Sequence, residues 1–116
     1  LVKAQRIQEK AAGIGFDWEQ PEQVFDKVRE ELQEFSEEVT KVDKDRMESE
    51  FGDILFALIN YARFLKINPE NALERTNKKF IYRFQYLEER AREEGKSLSE
   101  MTLDEMDVYW EEAKRK

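Results

Sequence analysis

The sequence predicts an all-α domain, a four- to five-helix bundle, from three observations. Apolar residues recur at the three- and four-residue spacing of an amphipathic helix through most of the chain. Pro and Gly are scarce, two and four in 116 residues, so long helices meet few interruptions. No stretch alternates apolar and polar residues as a half-buried strand would.

Glycine and proline bound the first two predicted helices. A short amphipathic helix covers residues 3 to 12 and ends at the glycines of GIGFDW, a loop that carries Phe16 and Trp18. Pro21 suits the first position of the second helix, because its missing N–H would have no partner there. We expect this helix to reach about Val42.

Capping signals define the other three helices. After the polar turn KVDKD, a third helix covers about residues 46 to 66. Asn68 and Pro69 are an N-cap and a first-turn residue that open a fourth helix. That helix runs to about Glu94, where Gly95 supplies the left-handed residue that ends it. The segment TLDE has the spacing of a capping box and opens the last helix.

Composition narrows the classes of function. The net charge of −7 argues against a protein that grips nucleic acid polymers, since these need a basic face. No apolar run reaches the roughly 20 residues of a membrane span, and we expect a cytoplasmic protein. The absence of His and Cys excludes His-assisted nucleophiles and His-ligated zinc. Any chemistry must therefore use carboxylates, Lys, Arg, Tyr or a metal.

Three carboxylates of the second helix lie beside its apolar stripe rather than opposite to it. The stripe consists of Val28, Leu32, Phe35, Val39 and Val42. Glu31, Glu34 and Glu38 line one flank of the stripe, at the edge of the core rather than in open water. Lys27 shares that flank, whereas Glu30 faces away.

The third helix is apolar on nearly all sides, which is typical of a helix buried on both faces, in a bundle or against a partner subunit. Asp53 nevertheless lies on its second apolar face, with Phe56, Ala57 and Phe64, and Glu50 lies beside it. Two carboxylates there repel each other and lose hydration, so they require a cation or protonation. Gly52 between them costs about 1 kcal/mol relative to Ala, which we interpret as room for another helix or a ligand.

Four carboxylates on two facing helices form the oxygen ligand set that hard divalent cations prefer. The candidate metal ligands are Glu31, Glu34, Glu50 and Asp53. Lys79 and Arg83 on the fourth helix would balance the charge of a metal-bound polyphosphate. The alternative is structural, because ion pairs with Lys27 or with these cations account for the same charges without a ligand.

The spacing of the acidic residues resembles that of a known family. EELQE at residues 30 to 34, followed after fifteen residues by EFGD at residues 50 to 53, is similar to the EExxE and ExxD motifs of MazG-type nucleoside triphosphate pyrophosphohydrolases. The resemblance also includes AAGIGFDW, KVREEL, GDILFALINYAR, NPENALERTNKKFIYRF and WEEAKRK, so it covers nearly the whole chain. The chain looks most like the C-terminal domain of the two-domain MazG proteins.

This resemblance implies an all-α homodimer that hydrolyses a nucleoside triphosphate to the monophosphate and pyrophosphate. Magnesium would be the cofactor, with manganese as a substitute. The residues implied by motif position are, as metal ligands, Glu31, Glu34, Glu50 and Asp53 and, as substrate contacts, Lys79, Arg83, Trp110 and Lys114. Water would attack the α-phosphorus, with one of Glu31, Glu34 or Glu38 as the proton acceptor.

Further candidate substrate contacts are Lys27 on the acidic flank and aromatic residues that could stack on a base. Trp18, with Phe16 and Trp110, is such a candidate, although Trp more often serves as a core or interface residue. Stacking tolerates any base, so broad nucleotide use is expected.

Two other functions stay open at this point. A narrower pyrophosphohydrolase, acting on dUTP, dCTP or phosphoribosyl-ATP, would share the acidic residues. A non-catalytic domain would keep the fold for dimerisation or for binding a partner. We expect one domain over residues 1–116, and the initial Leu leaves open a piece of a longer, two-domain chain.

Overall fold

The computed structural model describes residues 1–41 and 43–116, and helices dominate it. The five α-helices are α1 Val2–Gly13, α2 Pro21–Val39, α3 Lys44–Phe64, α4 Pro69–Glu93 and α5 Leu103–Lys114. A single 3₁₀ turn, Leu98–Glu100, precedes α5. No strand occurs in these described ranges, so the all-α prediction is confirmed. The chain divides into two compact units, Leu1–Ala72 and Leu73–Lys116, which are described separately.

Local capping fixes most helix ends where the sequence predicts them. Pro21 is the first residue of α2. Asn68 Oδ1 accepts a hydrogen bond from the backbone N–H three residues further on, at 3.1 Å. Thr102 and Glu105 form a reciprocal capping box before α5. Gly95, with φ of +70°, follows α4 in the left-handed conformation that glycine adopts without strain.

The end of α2 differs from the prediction. The helix stops at Val39, three residues before the expected end at Val42, which lies outside the described residues. The Thr40 hydroxyl donates a hydrogen bond to the Glu37 carbonyl at 2.7 Å, a local bond that competes with continued helix. The expected apolar stripe is also less buried than predicted, since Leu32 and Val39 are exposed while Val28 is buried.

Both ends of α3 lie two residues earlier than predicted. The helix begins at Lys44 because Asp43 caps it, accepting a hydrogen bond from the Arg46 N–H at 3.2 Å. It ends at Phe64, and Lys66 follows with φ of +58°. This left-handed residue reverses the chain at a position where glycine is more usual.

In the first unit, α2 and α3 form an antiparallel hairpin. Phe25 packs against Tyr61, with ring centroids 5.4 Å apart, and Phe35 packs against Phe51 at 5.8 Å. Residue numbers therefore rise along α2 as they fall along α3. The buried apolar residues of this unit are Val24, Val28, Ile54, Ala57 and Ile59. Helix α1 adds a third layer against α3, where Gln8 Nε2 donates a hydrogen bond to the Phe56 carbonyl at 2.9 Å.

Part of the apolar surface of α3 is not buried by the described residues of this chain. The exposed fractions lie between 40% and 51% for Phe51, Leu55 and Leu58 on one side of α3 and for Phe56 on its second apolar face, whereas Ala57 of that second face is buried. No described atom beyond the helix itself lies within 4 Å of a Cβ built at Gly52, so no other described helix makes the close approach expected there. None of the described helices is long and apolar enough to cross a membrane.

The second unit is a helical pair formed by α4, from Leu73 onward, and α5. Its buried apolar residues are Leu87, Ala91, Met101 and Ala113. The Tyr86 hydroxyl donates to Glu112 at 2.9 Å, and Arg90 Nε donates to the same carboxylate at 3.2 Å. Of the stripe predicted on α4, Leu87 and Ala91 are buried but Phe80 and Phe84 are exposed.

Candidate active site

The antiparallel hairpin of α2 and α3 brings three of the four predicted metal ligands together. One carboxylate oxygen each from Glu31, Glu50 and Asp53 lies within 4.8 Å of the other two. We call these three residues the acidic cluster. Glu31 is buried at 5% exposure, Glu50 is half-buried, and Asp53 is exposed. The cluster therefore leads from the core of the unit to its surface.

Two oxygens of the acidic cluster lack the partners that buried oxygens normally have. Glu31 Oε2 and Glu50 Oε2 are both inaccessible to solvent and accept no hydrogen bond from the described residues. Burial without a partner is costly for a carboxylate oxygen, more so beside a second carboxylate. A divalent cation among the carboxylates would provide partners for such oxygens, and an all-oxygen donor set suits magnesium or manganese. The residues present therefore fit such an ion.

Lys27 already partners the other oxygen of Glu31. Its Nζ lies 2.9 Å from Glu31 Oε1, and the hydrogen bond raises the pKa of the Lys27 ammonium. One ammonium balances one of the three charges of the cluster and leaves Glu31 Oε2 unpartnered. Lys27, which was predicted to contact the substrate, therefore lies at the acidic cluster, where it forms an ion pair with Glu31.

Glu34, the fourth predicted ligand, is not part of the acidic cluster, but the negative charges of the cluster affect its pKa. Partial burial raises the pKa of the Glu34 carboxyl, and the negative charges of Glu31 and Glu50 raise it further. Glu38, another predicted proton acceptor, lies near two basic side chains rather than in the acidic cluster. Its carboxylate lies 3.4 Å from Lys41 Nζ and 3.9 Å from Arg46 Nε.

The other predicted substrate contacts lie in the second unit. The Arg83 guanidinium lies over the Trp110 ring, 5.9 Å from its centroid, and Phe80 packs on the same ring at 5.2 Å. Lys79, one turn earlier on α4, is exposed. Lys114 pairs with Glu111 at 3.2 Å. Arg83 therefore contacts the Trp110 ring, and Lys79 is accessible to solvent.

Glu30 and Glu31 provide a matched test of the acidic cluster, because they are adjacent in sequence and differ in burial. Glu30 is exposed and pairs with Lys27 at 3.7 Å, whereas Glu31 is buried in the cluster. We expect Glu31→Ala to weaken manganese binding at least about tenfold and Glu30→Ala to change it less than about twofold. Calorimetric titration of Mn²⁺ measures both. Equal losses from the two variants would contradict the assignment of Glu31 to the site.

A cleft of about 440 Å³ lies between α1, the following loop and α3. The residues that line this α1–α3 cleft include Gln8, Phe16, Trp18, Phe56, Asn60 and Arg63. Trp18, a predicted base-stacking residue, therefore borders a space large enough for a small molecule. At one side of the cleft Arg63 binds Asp17, with Nη1 3.0 Å from Oδ2, and also donates to Asn60 Oδ1.

The Asp17–Arg63 pair gives the loop a pH-dependent anchor. The Arg63 hydrogen bond holds the pKa of the Asp17 carboxyl below its ordinary value. A lowered pKa in the folded state stabilises the fold above the unfolded-state pKa, and this contribution is lost as the pH falls through the lowered value. We expect Asp17→Asn to cost about 1 kcal/mol of unfolding free energy at pH 7 and less at pH 3. Urea unfolding at both pH values tests this, and an equal cost at both would contradict it.

Gln8 is the residue of this region that the sequence analysis did not identify. Its side chain is 6% exposed, and its Oε1 is buried without a hydrogen-bond partner among the described residues. Its position on α1 could have identified it from the sequence, since Gln8 shares a helix face with Ala4, Ala11 and Ala12. A polar residue on an apolar helix face has a specific hydrogen-bond partner more often than a polar residue that is exposed to solvent.

The chain is similar in sequence to a known protein family and to proteins from several bacteria. A family model described as the MazG nucleotide pyrophosphohydrolase domain matches residues 19–87, a region that includes the whole acidic cluster. The nucleoside triphosphate pyrophosphohydrolase/pyrophosphatase MazG of Thermotoga maritima is 45% identical over 98% of the chain. The nucleoside triphosphate pyrophosphohydrolase of Escherichia coli K12 is 39% identical over 99% of the chain.

A third relative is similar over a shorter region. The uncharacterized protein YabN of Bacillus subtilis is 60% identical over 59% of the chain, a stretch that makes up 14% of YabN. The chain spans less than half of the two longer matches, 44% of each. Because the family model matches more than half of the sequence, the chain belongs to the MazG nucleotide pyrophosphohydrolase domain family.

Proposed function

We propose that the chain is a metal-dependent nucleoside triphosphate pyrophosphohydrolase, which converts a nucleoside triphosphate and water to the monophosphate and pyrophosphate. The observation that carries the proposal is the acidic cluster, in which two buried oxygens of Glu31 and Glu50 lack partners. Buried carboxylate oxygens normally have hydrogen-bond partners, and these two residues lie beside a third carboxylate, that of Asp53. The names of the two relatives that match nearly the whole chain support the same reaction.

Glu31, Glu50 and Asp53 would hold magnesium, with manganese as a substitute and Glu34 as the fourth carboxylate. Bound there, the ion would supply Lewis-acid polarisation of the phosphate oxygens and lower the pKa of a coordinated water. The carboxylates would fix its position on two rigid helices. Lys27 would hold Glu31 in its ligating orientation through the 2.9 Å ion pair.

The remaining residues of the chain would bind substrate and move a proton. Lys79 and Arg83 would neutralise charge on the triphosphate and on the departing pyrophosphate. Trp110, which Arg83 contacts, would orient the guanidinium, and Lys114 would complete this cationic set. Glu34 or Glu38 on α2 would accept the proton of the water that attacks the α-phosphorus.

We also propose a homodimer with broad base tolerance, acting on free nucleotides in the cytoplasm rather than on nucleic acid polymers. The exposed apolar side chains on one side of α3, those of Phe51, Leu55 and Leu58, support the dimer, because a contiguous exposed apolar surface is typical of a protein–protein interface. Residues 1–116 would act as one catalytic domain.

Product analysis tests this function. The chain is incubated with the four ribonucleoside triphosphates and their deoxy forms, in magnesium, in manganese and in excess chelator. We expect monophosphate and pyrophosphate from most substrates, and only with metal. Turnover of a single substrate would indicate the narrower enzyme, and folded protein without any turnover would contradict the proposal in favour of a binding or dimerisation domain.

A further inference from the structure

Gln8, which lines the α1–α3 cleft, carries an unsatisfied hydrogen-bond acceptor. Gln8 Nε2 donates to the Phe56 carbonyl at 2.9 Å, and this bond fixes the orientation of the amide. The other edge of the amide, Oε1, is buried and has no partner among the described residues. A buried acceptor without a donor is costly, so a ligand that brings an N–H or O–H into the cleft gains that bond.

The position of the cleft on α3 relates it to the acidic cluster. Asp53 and Asn60 are seven residues apart, which puts them on the same side of the helix and about 10 Å apart along its axis. Phe56, between them, also lines the cleft. A nucleoside triphosphate is long enough to reach from phosphates at Asp53 to a base beside Asn60. Both regions belong to the first unit.

We propose that the α1–α3 cleft binds the nucleobase of the substrate and that Gln8 Oε1 accepts a hydrogen bond from an N–H of the base. Phe16 and Trp18 provide the aromatic surface on which the base stacks. The inference rests on the proposed function, since it assumes a nucleotide substrate. It also accounts for broad tolerance, because each common base carries an N–H group on its Watson–Crick edge.

The test compares two substrates that differ by one amino group, ATP and purine riboside triphosphate. The second lacks the N–H groups of adenine that Gln8 would accept. With the unaltered chain we expect kcat/KM to be about tenfold lower for the analogue. With Gln8→Leu we expect the two substrates to become equal within about twofold, through the loss of ATP activity. An unaltered chain that does not distinguish them, or a Gln8→Leu variant that still does, would overturn the inference.

Two matched controls separate base recognition from folding. Gln5→Leu makes the same change on α1 outside the cleft lining and should keep the preference for ATP. Phe16→Ala and Ile14→Ala change two side chains of the same loop that are 82% and 87% exposed, of which only Phe16 lines the cleft. We expect Phe16→Ala to raise KM about fivefold for every nucleotide and Ile14→Ala to leave KM unchanged. Equal effects of the two would count against the cleft.

A binding measurement distinguishes failure of this inference from failure of the proposed function. The chain has two tryptophans, Trp18 and Trp110, so the fluorescence quenching by AMP that the unaltered chain shows and Trp18→Phe lacks reports AMP binding beside Trp18. If no triphosphate is hydrolysed but AMP quenches Trp18, and Gln8→Leu weakens this about tenfold, the base site stands and the reaction does not. If triphosphates are hydrolysed but AMP leaves Trp18 unchanged, the reaction stands and the base site is wrong.

Discussion

Replacing Glu50 with Ala is expected to abolish metal-dependent hydrolysis while leaving the fold intact. Loss of one carboxylate from the acidic cluster removes a ligand and about 4 kcal/mol of transition-state stabilisation, a fall in kcat/KM of about a thousandfold. Because the variant also removes a carboxylate oxygen that is buried without a partner, its unfolding free energy without metal should not fall and should rise by about 1 kcal/mol. Product analysis and urea unfolding give the two quantities.

The matched control for Glu50 is Glu48, an exposed acidic residue on the same helix. Two residues correspond to about 200° around an α-helix, so Glu48 lies on the side of α3 opposite to Glu50. Glu48→Ala should retain activity within about threefold. If Glu50→Ala destabilises the chain or keeps full activity, the carboxylate is structural and the metal site is misassigned.

Replacing Arg83 with Ala is expected to have the second largest effect. Arg83 carries a delocalised charge that lies over the Trp110 ring, and its planar guanidinium suits a bidentate contact with phosphate. We expect kcat/KM to fall about a hundredfold, while the loss of the cation–π contact costs only about 0.5 to 1 kcal/mol of stability. Arg83→Lys should be intermediate, since it keeps the charge without the planar fork.

Arg92→Ala is the control for Arg83, because Arg92 is exposed on the same helix and pairs with Glu89. It should leave kcat/KM within about twofold of the unaltered chain. A variant of Arg83 that loses stability but no activity would show that the residue packs on Trp110 for structural reasons alone.

The helices were predictable because their boundaries depend on a few neighbouring residues. Local backbone geometry and hydrogen bonding, which a few residues determine, start the helices at Pro21, at the Asn68–Pro69 pair and at the capping box of Thr102. The errors occur where local bonds compete. Thr40 ends α2 early, and Lys66 takes the left-handed position without being glycine.

The acidic cluster was largely predictable for a different reason. Helical periodicity determines which carboxylates share a face, and two adjacent helices with facing acidic flanks can meet in few ways. The antiparallel register shown by Phe25–Tyr61 and Phe35–Phe51 decides which of them meet, and it brings Glu31 next to Glu50 and Asp53. The separate position of Glu34 depends on this register, which no short sequence pattern encodes.

The α1–α3 cleft was not predictable, because it depends on how three separate segments pack. The residue type of Trp18 made it a candidate for base stacking. The role of Gln8 depends on its hydrogen bond to the Phe56 carbonyl, 48 residues away in sequence. The exposure of Phe51, Leu55 and Leu58 on α3 was not predictable either, since a helix that is apolar on both faces indicates a covering partner without identifying it.

The most direct test of the central claim is hydrolysis of GTP with magnesium in ¹⁸O-labelled water, followed by ³¹P spectroscopy of the products. Attack at the α-phosphorus predicts labelled GMP and unlabelled pyrophosphate, with neither formed by Glu50→Ala. Label in pyrophosphate would place the attack at the β-phosphorus, and GDP with orthophosphate would mean cleavage at the γ-phosphorus. Either result would contradict the proposed reaction.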